Sequence, residues 1–253
     1  MTRKLLLVVN DAAFFLSHRL DIAKEAKKKG FNITIGSPYS SKIEEIKSHG
    51  FNWISVPFKR SGVNPIKEIL SFFCLALVLI KVKPDIAHFV TIKPVLYGGL
   101  LSRILRIPSV VFAISGMGHL FTVENSKFLN FLTNLVYPIS LNHRNSAVIV
   151  QNKDDYSYIN SMSLRCSNNI KLVKGSGVDL KRYSAAQVPD GDPIVMLHGR
   201  MLWTKGVGEF IEAARILDRK TPSLRMVLVG SSDDDNPAAI SREELLSFQE
   251  DIQ

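Results

Sequence analysis

The sequence predicts an α/β protein with a doubly wound, parallel sheet, and three observations carry that prediction. Short β-branched or Leu-rich runs alternate strictly with helical stretches from the first residues onward. Glycines stand just past the ends of several helical stretches, and prolines just inside their starts, where stop and start signals belong. The chain has 253 residues, 46% of them hydrophobic, enough for one large α/β unit or two unequal ones.

The elements follow in order. Residues 4–10 read as a strand, 17–29 as a helix stopped by Gly30, 32–36 as a strand, 41–48 as a helix stopped by Gly50, and 53–57 as a strand. After Asn64-Pro65 an apolar helix runs to Val82, then come a strand at 85–90, a helix at 94–105 and a strand at 109–114. A helix at 125–142, a strand at 147–151, a short helix at 154–160 and a strand at 170–173 complete about seven βα repeats. Residues 1–182 are thus expected to form one Rossmann-like domain. Residues 183–192, rich in small and polar residues with little apolar content, are the expected linker.

A new βαβ unit opens beyond the linker, with a strand at 194–197, a helix at 207–217 and a strand at 226–229. Two parallel strands cannot bury both faces, so residues 193–253 are expected to be the first part of a second Rossmann-like domain. The expectation is a truncated product or a domain whose remainder is supplied elsewhere.

Charge is split between the two parts. Residues 1–182 hold 25 Lys and Arg against 11 Asp and Glu, net +14, while residues 183–253 hold 7 against 12, net −5. The basic first part favours an anionic partner. Nucleic acid is set aside, because no zinc-finger, RNP-like or basic-zipper pattern is present and the lysines alternate with helical apolar positions. The anionic face of a membrane remains, worth about 1 kcal/mol per Lys or Arg near the surface. The stretch 69–80 is apolar almost all round, but as a helix it would span only about 18 Å against about 30 Å of bilayer core. It is expected to pack within the protein, with a membrane-surface role as the alternative.

No opening stretch has the layout of a secretory signal, so the chain is read as cytoplasmic. Cys74 and Cys166 have no paired spacing and read as free thiols.

The segment Gly199-Arg200-Met201-Leu202-Trp203-Thr204-Lys205-Gly206 lies between an apolar strand and a helix. In open α/β sheets the crevice beyond the strand ends is where ligands bind, and a helix start adds unpaired N–H groups with about half a positive charge. Arg200 and Lys205, with Gly199 and Gly206 shaping the loop, are the candidate diphosphate-binding residues. A surface loop with solvated charges is the alternative. Gly175-Ser176-Gly177, after the last first-domain strand, would let backbone amides approach a ligand or form an ordinary turn. Asp11 suits an acceptor contact or a helix cap equally. His88, inside a strand, reads as a core residue.

Taken jointly with Phe14-Phe15-Leu16-Ser17-His18-Arg19-Leu20, Thr91-Ile92-Lys93-Pro94, Ser115-Gly116-Met117-Gly118-His119, Val150-Gln151-Asn152-Lys153 and Gly175-Ser176-Gly177-Val178-Asp179, the Gly-Arg-x4-Lys-Gly loop resembles the retaining GT-B glycosyltransferases of family 4. The resemblance covers about residues 1–240 and is to enzymes that extend lipid-linked sugar chains of bacterial surface polysaccharides. It implies a GT-B-like architecture, a nucleoside-diphosphate-sugar donor held between two domains, and a polyprenyl-diphosphate-linked glycan acceptor held mainly by the first.

By that resemblance Arg200 and Lys205 would neutralise the leaving diphosphate, with no metal or other cofactor. Ser115, Gly116, His119, Gly175, Ser176 and Gly177 would line the cleft, and Asp11, Phe15, His18 and Lys93 would lie on the acceptor side. Asp233-Asp234-Asp235 is a contiguous acidic turn and reads as a solvated loop, not a ligand set for a metal. The protein is expected at the inner membrane face, peripherally bound. The pattern departs at one point: the family's Glu-x7-Glu motif is not matched, since Glu243 and Glu250 have only six residues between them. The alternative function is a non-catalytic subunit that binds the lipid-linked glycan and is completed by a second polypeptide. A dinucleotide-dependent oxidoreductase is disfavoured, because Asn10-Asp11-Ala12-Ala13-Phe14-Phe15 stands where Gly-x-Gly-x-x-Gly would follow the first strand.

Overall fold

The computed structural model describes residues 2–59, 65–116, 135–162, 164, 169–181, 183–188, 190–218, 221, 223–232 and 238–250, the last two without their side chains. The chain divides into two compact units, Met1–Val178 and Asp179–Gln253.

The first unit is a seven-stranded sheet in the order β3-β2-β1-β4-β5-β6-β7, parallel throughout. Its strands are β1 (Lys4–Val8), β2 (Asn32–Ser37), β3 (Asn52–Ser55), β4 (Ile86–Val90), β5 (Ser109–Ile114), β6 (Ser146–Val150) and β7 (Ile170–Leu172). Between β1 and β2 lie α1 (Ala12–His18) and α2 (Leu20–Lys28), and α3 (Ile43–Ser48) joins β2 to β3. The long α4 (Pro65–Val82) leads to β4 and α5 (Ile92–Ile104) to β5. Then come α6 (Tyr137–Leu141), before β6, and α7 (Lys153–Ser161), before β7.

The period-2 alternation of each strand builds two cores. Leu5, Leu7, Val9, Ile33 and Ile35 pack with Phe15 of α1, Ala23 of α2 and Ile43 and Ile46 of α3. Leu6, Val8, Ala87, Phe89, Phe112 and Val148 pack on the other face with α4, α5, α6 and α7. The helices therefore change face between β1 and β4. A fully buried side chain of this size contributes about 1.5–3 kcal/mol, so burial on both faces holds the sheet between its helical layers. The reversal of winding leaves a crevice at the carboxyl ends of β1 and β4, the place where such sheets bind ligands.

Two expectations need correction. The first helix begins at Ala12 and breaks at Arg19, whose φ of −129° and ψ of −6° are not helical. Asp11 starts it: its Oδ1 accepts hydrogen bonds from Ala13 N at 2.8 Å and Phe14 N at 3.4 Å. The apolar α4 is packed on one side only. Ser71, Leu75, Val78 and Leu79 face the core, and Ile66, Ile69, Leu70, Phe73, Leu77 and Ile80 are exposed by 51–78%. Spacings of three and four place the exposed six along one helix face. No described helix is long and apolar enough to cross a membrane.

The second unit pairs β8 (Ile194–His198) with β9 (Arg225–Val229) in parallel, with α8 (Val207–Asp218) between them and α9 (Arg242–Glu250) after them. Its small core is Met201, Val207, Ile211 and Ile240. Ile194, Val195 and Met196 of β8 are exposed. Cys74 is a free, half-buried thiol; Cys166, most of the expected helix at 125–142 and Asp233-Asp234-Asp235 lie outside the described residues.

Candidate functional site

In the first unit the site is built where β1 hands over to α1. Phe15, the expected acceptor contact, is fully buried and packs edge-on against Phe51, so it serves the core and cannot reach a ligand. Its neighbour Phe14 is the available ring. It stacks on His18 with centroids 4.5 Å apart, and the Arg19 guanidinium sits 5.6 Å from its centroid. His18 is exposed, and its Nδ1 lies 2.7 Å from Ser17 Oγ in a hydrogen bond.

Arg19 is only 5% exposed. Its Nη1 donates to His18 O at 3.0 Å and to Ser176 Oγ at 2.9 Å, while its Nε is enclosed with no partner. Burial pushes its pKa below the usual arginine value. Gly175 and Gly177, at φ +79° and +71°, turn the chain on either side of Ser176 and so present its hydroxyl to Arg19. Gly175-Ser176-Gly177 thus works as a positioning turn with one defined side-chain contact.

Sequence reasoning missed Arg19, although a signal was there. Ala12, Phe15, Arg19 and Ala23 follow one another at helical spacing, and all four are buried, so the arginine occupies a place on the inward face. Behind it in β4, His88 is buried opposite Leu7 and Val111, its Nε2 without a partner. Burial first, and the Arg19 charge second, push the His88 pKa down to about 4, so the ring is neutral at pH 7.

At the ends of β4 and β5, Thr91 adopts φ +73°, unusual for a β-branched residue, and its Oγ1 is enclosed without a partner. Ser115 Oγ is enclosed and unpartnered in the same way, and Gly116 follows it at φ +123°. His119 lies outside the described residues. Lys93 is brought elsewhere: its Nζ lies 2.6 Å from Glu68 Oε1 on α4, and Tyr97 donates to Glu68 Oε2 at 2.5 Å. Glu68 thus fastens α5 to α4, and burial followed by that bond raises the Tyr97 pKa. The lysine serves as a helix-to-helix contact.

In the second unit the loop after β8 is pinned from both sides. Gly199 N donates to Val229 O at 3.0 Å, Met201 N to Ser231 O at 3.1 Å, and Trp203 N to Ala238 O at 3.0 Å. Met201 and Leu202 are buried beneath it, and a short 3-10 turn, Trp203–Lys205, ends at Gly206 in the left-handed region with φ +79°. That turn feeds α8. Arg200 and Lys205 are exposed on this rigid loop, where the start of a 12-residue helix contributes its positive end. Such an arrangement can take an anionic oxygen cluster.

The fold and these two sites define the class: an α/β protein of the GT-B glycosyltransferase architecture. The chain belongs to the glycosyl transferase 4-like family, which it matches over residues 4–152. It is 28% identical over 256 residues to the N,N'-diacetylbacillosaminyl-diphospho-undecaprenol alpha-1,3-N-acetylgalactosaminyltransferase of Campylobacter jejuni, covering 92% of this chain and 66% of that protein. It is 24% identical over 250 residues to the putative glycosyltransferase EpsD of Bacillus subtilis, covering 91% and 62% respectively. The chain thus spans about two thirds of the length of these curated relatives.

Among solved structures it resembles Anabaena HepE in complex with UDP and glucose, with a TM-score of 0.67 at 16% identity over 99% of this chain and 65% of that one. The UDP-GlcNAc 2-epimerase of Neisseria meningitidis gives a TM-score of 0.62 at 13% identity over 98% and 68%. At such identities these two likenesses speak for the fold alone.

Proposed function

We propose that this chain carries the acceptor-side unit and the diphosphate loop of a retaining glycosyltransferase, which moves a sugar from a nucleoside-diphosphate donor to a polyprenyl-diphosphate-linked glycan. The observation that carries this reading is the pinned loop after β8, with Arg200 and Lys205 at the start of α8. Cations held there oppose the charge that develops on a departing nucleoside diphosphate. Preorganised charge of this kind contributes about 3–4 kcal/mol per donor in comparable sites, without reorganisation during the reaction. The Campylobacter relative's undecaprenol-linked substrate supports the choice of acceptor class.

Titration calorimetry of the chain with a nucleoside diphosphate tests the donor loop. Lys205→Ala is expected to weaken binding about tenfold, with the fold unchanged because the side chain is exposed. Equal affinities, or no binding by the parent chain, reject the reading.

The same proposal places the first unit on an anionic membrane surface at the cytoplasmic face. The exposed stripe of α4 has Lys67, Lys81 and Lys83 at its borders, and Glu68, the acid on this helix, is engaged by Lys93 and Tyr97. Apolar side chains rimmed by cations suit a headgroup boundary.

A second reading, a glycan-binding subunit completed by another polypeptide, is favoured by one feature of the second unit. Ile194, Val195 and Met196 are exposed on β8, and an open apolar cavity of about 470 Å³ is lined by Phe210, Leu217, Met226, Leu246 and Phe248. Both features are what a two-stranded sheet leaves uncovered. Turnover of donor and acceptor by the chain alone separates the readings: product formed without a partner supports the transferase, and product formed only on adding a second polypeptide supports the subunit.

A further inference from the structure

Arg19 is a buried cation without an acid. Among the described residues no carboxylate lies within ion-pairing distance, its two hydrogen bonds go to neutral oxygens, and its Nε has none. An arginine does not escape this cost by losing its proton, because the guanidinium stays charged at any pH the fold survives. The Phe14 ring offsets part of it, about 0.5–2 kcal/mol for a cation over an aromatic face. An uncompensated buried charge costs several kcal/mol, more than one ring and two neutral acceptors return.

Among the described residues the surroundings add donors and no negative charge. His88 is held neutral beside the guanidinium. Ser176 presents a hydroxyl from a turn shaped by two left-handed glycines. At the carboxyl ends of β4 and β5, the Thr91 and Ser115 hydroxyls are enclosed and unpartnered, and Thr91 is held in a strained backbone conformation. Buried polar atoms are nearly always satisfied in folded proteins, so the unsatisfied Nε of Arg19, beside the unsatisfied Nε2 of His88, asks for a partner. Asp11, the acid of the same loop, is turned to the α1 amides. Strain of the Thr91 kind persists where function requires it.

We propose that Arg19, positioned by Ser176, binds a diphosphate in the first unit, at a site separate from the Arg200 and Lys205 loop. This deepens the proposed function and rests on it for the identity of the ligand: the diphosphate is that of the lipid-linked acceptor. A guanidinium offers a planar fork to two phosphate oxygens, and the Ser176 hydroxyl, held on Arg19, is suited to a third. No bond is made or broken here. Arg19 holds the acceptor, so that its sugar end is presented at a fixed depth.

The experiment uses the whole chain and two probes, farnesyl diphosphate and a nucleoside diphosphate, followed by titration calorimetry. Farnesyl diphosphate is expected to bind the parent. Arg19→Gln is expected to weaken it at least tenfold and Ser176→Ala several-fold, Arg19→Lys retaining part of the affinity, while nucleoside-diphosphate binding stays unchanged in all three. Lys205→Ala is expected to give the opposite pattern. Circular dichroism reports whether Arg19→Gln folds; should it not, Ser176→Ala decides, since that residue is exposed. Equal farnesyl diphosphate affinity in the parent and Ser176→Ala when Arg19→Gln is unfolded, equal affinity in the parent and a folded Arg19→Gln, or no binding by the parent, overturns the proposal. Loss of nucleoside-diphosphate binding in Arg19→Gln instead assigns the site to the donor and overturns the acceptor assignment. Failure of Lys205→Ala alone rejects the donor loop and leaves the Arg19 result standing.

Discussion

Glu68 on α4 holds Lys93 on α5 at 2.6 Å, and both side chains are largely shielded from solvent. The same carboxylate accepts the Tyr97 hydroxyl, so one acid ties two turns of α5 to the start of α4. Glu68→Gln removes the charge that Lys93 and Tyr97 both bind. A loss of about 1–3 kcal/mol is expected, because hydrogen bonds to charged groups carry that much. Urea denaturation checks this, and a midpoint equal to the parent's would show that the contact is ornamental.

His88 gives the first unit a pH dependence whose direction is fixed. Its pKa falls from 6.5 in the unfolded chain to about 4 in the fold, so between those values the unfolded state binds the extra proton. Stability from this residue is complete above about pH 6.5 and is lost as the pH falls toward 4, about 3 kcal/mol in all. His143, also lowered by burial, adds a slope of the same sign. His88→Leu, facing Leu7 and Val111, is expected to flatten most of the dependence while leaving stability at pH 7 nearly unchanged. Urea midpoints measured from pH 4 to 7 decide it; a variant with the parent's slope would assign the effect elsewhere.

The exposed stripe of α4 predicts a separation of binding from stability. Phe73→Glu with Leu77→Glu alters two side chains already in water, so stability should move by no more than about 0.5 kcal/mol for each. On vesicles with anionic lipid each ring or branched chain taken into the headgroup boundary is worth about 1.5–3 kcal/mol, and the double variant is expected to lose more than tenfold in partitioning. The parent's binding should fall as salt rises, since the lysine rim acts over a Debye length of about 10 Å at 0.1 M. Co-sedimentation that is the same for parent and variant would remove α4 from the membrane contact.

The order of elements was legible because each decision is local: an apolar run of five, a helical period, a glycine after it. The loop after β8 was legible for the same reason, since strand, cations, glycine and helix are contiguous. The start of α1 was not, because Ala12, Ala13 and Phe14 form a short apolar stretch two residues after β1's own and only the Asp11 cap reveals the change of conformation. Nor could composition say which side of α4 packs, when every side is apolar. Lys93 read as an acceptor-side residue because its partner stands 25 residues away on another helix. Arg19 was quoted within a motif yet passed over, for a charged residue is expected outside until the period of its buried neighbours is counted.

Gly230 fixes how closely the carboxyl ends of β8 and β9 approach beside the diphosphate loop. A Cβ built there would fall inside the contact distance of the Gly199 carbonyl oxygen, a backbone atom, with the Met201 methyl also within 2.9 Å. Neither strand can retreat without breaking the Gly199 N to Val229 O and Met201 N to Ser231 O bonds, which hold the loop in place. Gly230→Ala is therefore expected to cost about 1–3 kcal/mol, as overpacking against fixed structure does, and to weaken nucleoside-diphosphate binding although it removes no charge. Gly208→Ala, where the neighbour is the edge of the Trp203 ring at 3.0 Å, meets a side chain that can shift and should cost less. Thermal unfolding and calorimetry on the two variants test the contrast, and equal behaviour would mean that the loop does not depend on the crossing of Gly199 and Gly230.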